Sequence, residues 1–114
     1  SLLNDKCEAC NKLTPALGRL EILELQKQIQ GWDIEIGFAG KNWGIQLRKQ
    51  WDFKDFAEPL KFVLAISELA EKEGHHPDIN FGWGHVRVTV CTHAINGLSK
   101  NDFILAAKID ALLV

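Results

Sequence analysis

Three of the four histidines in this chain fall where a regular element should end. His75 and His76 follow Gly74, a helix-stop residue, and precede Pro77, while His93 closes a valine-rich run. An imidazole has an ordinary pKa of about 6.5, so it can both give and take a proton at neutral pH. Pro77 biases His76 toward an extended backbone, which points neighbouring rings to opposite sides unless a bend turns both toward one cleft. Glu71 is the other unusual residue. At helical spacing it falls between Leu60 and Leu64, inside an apolar stripe and away from Lys61, Glu68 and Lys72. A carboxylate placed there must be paired or hydrogen-bonded, and His75 or His76 is near enough in sequence to serve. Asp102 stands three residues after Ser99, at capping-box spacing. General acid–base chemistry suits this set. Each member alone also has an ordinary structural use, as a solvated loop histidine, an exposed glutamate or a capping aspartate, and His85 is read as a structural strand-start residue.

Zinc is the competing use of three histidines, since a catalytic zinc takes three protein ligands. Neither H-x-x-H nor H-E-x-x-H spacing is present, and an adjacent pair is a poor chelate, so no metal is expected. Cys7 and Cys10 form a C-x-x-C, but a zinc ribbon needs two such pairs. A thioredoxin-type pair belongs between a strand and a helix, whereas this one lies in an irregular N-terminal segment. The pair is read as structural or incidental, with a labile disulfide as the alternative. Cys91 is read as a small core residue. An odd count of three cysteines fits a reducing compartment, and a cytoplasmic location is expected.

These residues need a frame to hold them. At 114 residues, the chain has the length of one domain, and 46% hydrophobic with 25% charged residues describes a folded one. Thirteen basic against fifteen acidic residues argue against a nucleic-acid binder. No apolar run reaches the roughly 20 residues of a membrane span. With Ser1 first and no Met, an N-terminal stretch is expected to have been removed. Residues 1–16 read as an arm and 17–114 as the domain. Leu20, Leu23 and Ile29 give residues 17–30 a helical spacing closed by Gly31. Strands are expected at 32–36 and 43–53 around a turn at Gly37–Asn42, then at 79–83 and 85–92 around a two-glycine link. The strongest helix spans 55–73, with Asp55 and Glu58 at capping-box spacing, Pro59 in the first turn and Gly74 at the end. Its apolar residues form two stripes, Phe56, Leu60, Val63, Leu64 and Ala70 beside Phe62, Ile66 and Leu69, more than one sheet requires. A homo-oligomer is therefore expected. A last helix runs over about 101–112. The order helix-strand-strand-helix-strand-strand-helix points to an α+β fold, an antiparallel four-stranded sheet with three helices packed on one face.

The run Glu71-Lys72-Glu73-Gly74-His75-His76-Pro77-Asp78, then Val86-x-Val88-x-Val90-Cys91-Thr92-His93, then Gly97-Leu98-Ser99-Lys100-Asn101-Asp102 resembles the pterin-4a-carbinolamine dehydratase family. Gly31-Trp32 and Phe53-Lys54-Asp55-Phe56 are similar to two further family motifs, and the C-x-x-C with Thr14-Pro15-Ala16-Leu17 to its bacterial and plant members. The resemblance implies loss of water from 4a-hydroxytetrahydropterin to give quinonoid dihydropterin, recycling pterin for an aromatic amino-acid hydroxylase. It implies no cofactor, because the pterin nitrogen supplies the electrons. It also implies dimers or tetramers. Carried over, His75 and His93 are the proton-transfer pair, and His76 binds and orients the pterin, with exchange of roles between His75 and His76 open. Glu71 positions a histidine or holds the ring, and Pro77 and Asp102 join it as substrate-binding positions.

Gly74, Ile79 and Asn101 depart from the Asp, Trp and Arg of animal members, and the last two changes are expected to alter the grip on the ligand. Two other readings stay open. One is an interaction module using the Phe62, Ile66, Leu69 stripe, as in animal relatives that bind a homeodomain transcription factor. The other is a pterin-related role near molybdopterin metabolism.

Overall fold

A computed structural model describes residues 1–39 and 42–113, with the backbone alone at 37–39, 42 and 43. Seven main elements follow the expected order: α1 (Arg19–Gln26), β1 (Asp33–Ala39), β2 (Asn42–Asp52), α2 (Ala57–Glu73), β3 (Asp78–Gly82), β4 (His85–Val90) and α3 (Lys100–Ala111). The strands form one antiparallel sheet in the order β1-β2-β4-β3. Register explains its two-sidedness. Leu47, Lys49 and Trp51 stand opposite Val90, Val88 and Val86, so alternate residues of β2 and β4 share one face. That face carries Leu47 and the three valines into a core closed by Ile22, Phe62, Ile66, Phe103, Leu105 and Ile109 of the helices. The other face carries Gln46, Arg48, Gln50, Arg87 and Thr89. The expected turn at Gly37–Asn42 narrows, because 37–39 and 42 are strand and residues 40–41 lie outside the described residues. Among the described residues, no helix is long and apolar enough to cross a membrane.

Two expected helix faces are corrected. In α1, Leu20 and Leu23 are exposed, while Ile22 is buried and Leu25 half-buried. Ile22, Leu25 and Ile29 have a helical spacing of their own, and that frame meets the core. In α2, the stripe Phe62, Ile66, Leu69 packs inward with Ala70, and Phe62 meets Trp51 edge-on with ring centroids 4.9 Å apart. The outward stripe is Phe56, Leu60 and Leu64, at 48%, 40% and 57% exposure. The helix thus has two apolar faces as expected, but the one offered above to a foreign partner is core.

The N-terminal arm is tied down. Leu2 is buried, and the Asn101 side chain grips the Glu8 peptide from both sides: Glu8 N–H donates to Oδ1 (2.9 Å) and Nδ2 donates to Glu8 O (2.7 Å). Glu73, the last residue of α2, accepts Lys108 Nζ at 2.8 Å and Cys7 N–H at 3.0 Å. The Lys108 hydrogen bond holds the Glu73 carboxyl below its ordinary range, against the opposing effect of burial. A pKa lower in the folded state adds stability above the unfolded value, and that stability is lost as pH falls through the folded one. The denaturation midpoint is therefore expected to drop as pH falls below about 4.5, and Glu73→Gln to flatten that drop while costing stability at neutral pH. A Glu73→Gln chain with the parent's acid profile in urea titrations would remove this pair as the cause.

Candidate active site

The candidate residues lie at three junctions: the turn from α2 to β3, the exit from β4, and the first turn of α3. Gly74 ends α2 in the left-handed region at φ 67°, which costs glycine little. The chain then turns so that His75 goes inward, at 7% exposure, and His76 outward. This bend sends the two neighbouring rings to different environments.

His75 Nε2 lies 2.7 Å from Asp102 Oδ1, and Asp102 is 0% exposed. The other carboxylate oxygen, Oδ2, accepts the Thr92 hydroxyl at 2.8 Å and the Ser99 N–H at 2.9 Å. Asp102 is thus both a helix cap and the partner of His75. One oxygen closes the N-terminal turn of α3 while the other holds an imidazole. Asp102 has no exposed surface, and both of its oxygens are spent on protein donors. Charge-assisted hydrogen bonds of this kind are among the stronger ones available to a fold.

His76 Nε2 meets Glu71 Oε1 at 2.9 Å, with side chains 60% and 80% exposed. Glu71 is therefore paired, but not in an apolar environment, because the Leu60 and Leu64 stripe beside it faces outward. Pro77 is half-buried and leads into β3. His93 is exposed and starts a short 3₁₀ turn, His93–Ile95. Asn96 closes this turn at φ 49°, and Gly97 O accepts the Thr92 N–H at 2.9 Å. The turn sits against β2 at Gly44, where a Cβ would come within 2.7 Å of Asn96 O. The structure joins His75 to Asp102 and His76 to Glu71, and it places His93 next to Thr92. Thr92 is the buried polar residue to which sequence reasoning gave no part, while Ser99 keeps the capping position its spacing suggested. The pattern Ser99-x-x-Asp102, together with a threonine beside His93, was the available signal.

Cavities of about 440 and 410 Å³ lie between the arm and α3, lined by Glu8, Lys100 and Asn101 among others, and not by the histidines. Burial pushes the Cys91 thiol up to about 11, and burial beside Glu73 pushes Cys7 up to about 12, so both are neutral thiols at neutral pH. Among the described residues, no group of three His, Cys, Asp or Glu side chains is placed to hold a metal ion.

The family model described as pterin 4 alpha carbinolamine dehydratase matches residues 15–112. The chain belongs to the pterin-4a-carbinolamine dehydratase family. A curated relative from Azoarcus sp. (strain BH72) is 43% identical over 107 residues, covering 94% of this chain and 86% of its own. Pterin-4-alpha-carbinolamine dehydratase 2, mitochondrial, of Arabidopsis thaliana is 41% identical over 99% of this chain and 59% of its own length. Among solved structures, one described as a transcriptional coactivator/pterin dehydratase from Brucella melitensis superposes with a TM-score of 0.75 at 28% identity, over 86% of this chain and 98% of its own. A pterin dehydratase-like protein described as a RuBisCO assembly factor in the alpha-carboxysome gives 0.59 at 30% identity, over 73% and 89%.

Within this dehydratase family, the departures now have places. A Cβ at Gly74 would meet nothing within 4 Å, so the side chain of the animal Asp has open space there. Ile79 packs half-buried against the core. Asn101 is buried and spends its amide on the arm.

Proposed function

We propose that this chain dehydrates a 4a-hydroxytetrahydropterin to the quinonoid dihydropterin, with His75 and His93 as the proton-transfer pair. The observation that carries the reading is the buried 2.7 Å contact between His75 Nε2 and Asp102 Oδ1. An ionised carboxylate only accepts, so the ring proton sits on Nε2 and Nδ1 is the nitrogen that exchanges protons. Losing water from C4a needs one group to protonate the departing hydroxyl and another to take the ring N–H proton. His75 and the exposed His93 divide those tasks, and the nearby Asp102 carboxylate balances the charge His75 carries when protonated. His76, oriented by Glu71, binds and orients the pterin, with Pro77 setting its backbone. Direct pterin contact thus falls to His76, Glu71 and Pro77, while Asp102 acts through His75. Recycling of pterin for an aromatic amino-acid hydroxylase fits the family, and the odd count of three cysteines fits a reducing cytoplasm. A spectrophotometric dehydration assay of the parent chain tests the reading, and turnover no faster than the uncatalysed reaction would refute it.

Self-association belongs to the same proposal. Phe56, Leu60 and Leu64 form an outward apolar stripe on α2, and Phe56 extends it to Phe81 of edge strand β3, with centroids 5.8 Å apart. Contiguous apolar surface of this kind marks contact sites. Light scattering is expected to show a dimer or tetramer for the parent and a monomer for Leu60→Asp/Leu64→Asp. A monomeric parent would favour a foreign helix on this stripe. The coactivator and assembly-factor descriptions of the two structural relatives give that second reading its support.

A further inference from the structure

We propose that Thr92 is the shared positioning residue of both proton-transfer histidines: its hydroxyl fixes His75 through Asp102, and its backbone fixes the turn that carries His93. Only the catalytic readout of this inference rests on the dehydratase reading. Thr92 is 1% exposed and lies two residues past the end of β4. Its Oγ1–H donates to Asp102 Oδ2 at 2.8 Å. A hydroxyl has a single proton to give, so the 2.7 Å contact with Ser99 must run from Ser99 Oγ–H to Thr92 Oγ1. The order Ser99 to Thr92 to Asp102 fills Oδ2, together with the Ser99 N–H, and leaves Oδ1 to His75 alone.

The backbone of the same residue does the second task. Thr92 and Gly97 form an isolated antiparallel bridge that closes the loop holding His93. The loop is seated against β2 by the close approach of Asn96 O to Gly44. Both ends of the His93 turn are therefore set by the residue whose hydroxyl sets Asp102. Moving Thr92 moves both imidazoles, and removing its proton donor leaves Oδ2 with the Ser99 N–H alone, which loosens the hold of Asp102 on the His75 ring.

The test uses the full chain and two independent readouts. Nitrogen-15 NMR of His75 reports its tautomer without any substrate. The parent is expected to hold the Nε2–H form, Thr92→Val to mix the two forms, and Thr92→Ser to restore one. In the dehydration assay, Thr92→Val is expected to lower kcat by roughly 10–100-fold, the usual cost of losing a partner that orients a working histidine. KM should stay within about twofold, because ground-state binding is not touched, and Thr92→Ser should recover kcat. A Thr92→Val chain with the parent's tautomer and kcat overturns the proposal, as does a parent in the Nδ1–H form. Should Thr92→Val not fold, Ser99→Ala removes only the hydroxyl that orders Thr92, and the same tautomer mixing is expected. An unmixed tautomer there overturns the proposal. A parent inactive on pterins whose His75 still mixes tautomers in Thr92→Val sinks the dehydratase reading and supports the positioning.

Discussion

Replacing His75 by Ala is expected to slow dehydration by roughly 10²–10⁴-fold, the range that one well-placed acid or base supplies. His93→Ala should cost a similar factor, and the double variant should fall near the uncatalysed rate without the two losses multiplying, because the pair works as a unit. The two differ in their effect on folding. His75 is buried on Asp102, so truncating it strands Oδ1 and costs about 1–3 kcal/mol of stability. His93 is exposed, and its removal should change stability by no more than about 0.5 kcal/mol. His75→Gln separates the effects, since its amide N–H can still reach Asp102 but offers no exchangeable ring nitrogen. A His75→Gln chain that melts near the parent and has lost its turnover assigns the loss to chemistry. If His75→Ala and His93→Ala both turn over as fast as the parent, neither carries protons and the acid–base assignment is wrong.

Element order was readable because each junction carries a strong local signal: Gly74 after a long apolar period, Pro77 after two histidines, alternating Val86, Val88 and Val90. Faces were harder to read. The α1 segment holds two apolar frames of similar spacing, Leu20 with Leu23 and Ile22 with Leu25 and Ile29, and only packing against the sheet selects the second. In α2 both stripes are real, and sequence spacing cannot say which one the sheet covers. Glu71 shows the consequence. It was expected to need a partner because it lies in an apolar stripe, and it has one in His76, yet the stripe is the exposed one.

The candidate residues could be named from the sequence, but the hydrogen bonds among them could not. A capping aspartate and one that holds a histidine look like alternatives in a sequence, because the local pattern Ser99-x-x-Asp102 explains the residue fully. In three dimensions a carboxylate has two oxygens, and Asp102 uses one for each purpose. Asn101 drew notice only as a departure from the Arg of animal members, and its contacts lie elsewhere: its side chain bonds the arm at Glu8, over ninety positions away in sequence. Long-range contacts of this sort leave no periodic trace.

Asp102→Asn should be nearly as damaging to turnover as losing a histidine, at a cost to the fold no larger than that of His75→Ala. The carboxylate accepts from three donors: His75 Nε2, Thr92 Oγ1 and Ser99 N. An amide replaces one accepting oxygen with an N–H₂ group, which must face either His75 or the Thr92 and Ser99 side. The Ser99 N–H is a backbone donor and cannot reverse, so the amide nitrogen must turn to His75. There it donates, and the imidazole can meet it only by accepting at Nε2 and carrying its proton on Nδ1. That places the proton on the nitrogen needed for exchange, and the negative charge that balances the protonated ring is gone as well. Trapping a histidine in the wrong tautomer in this way costs up to about 10⁴-fold in kcat, while the retained shape limits the stability loss to about 1–3 kcal/mol. Asp102→Ala differs: it leaves three donors unpaired at a site with no solvent, and about 3–5 kcal/mol of stability should be lost. Thermal melts and initial rates on the two variants separate these outcomes, and an Asp102→Asn chain with the parent's kcat would show that His75 exchanges no proton through Nδ1.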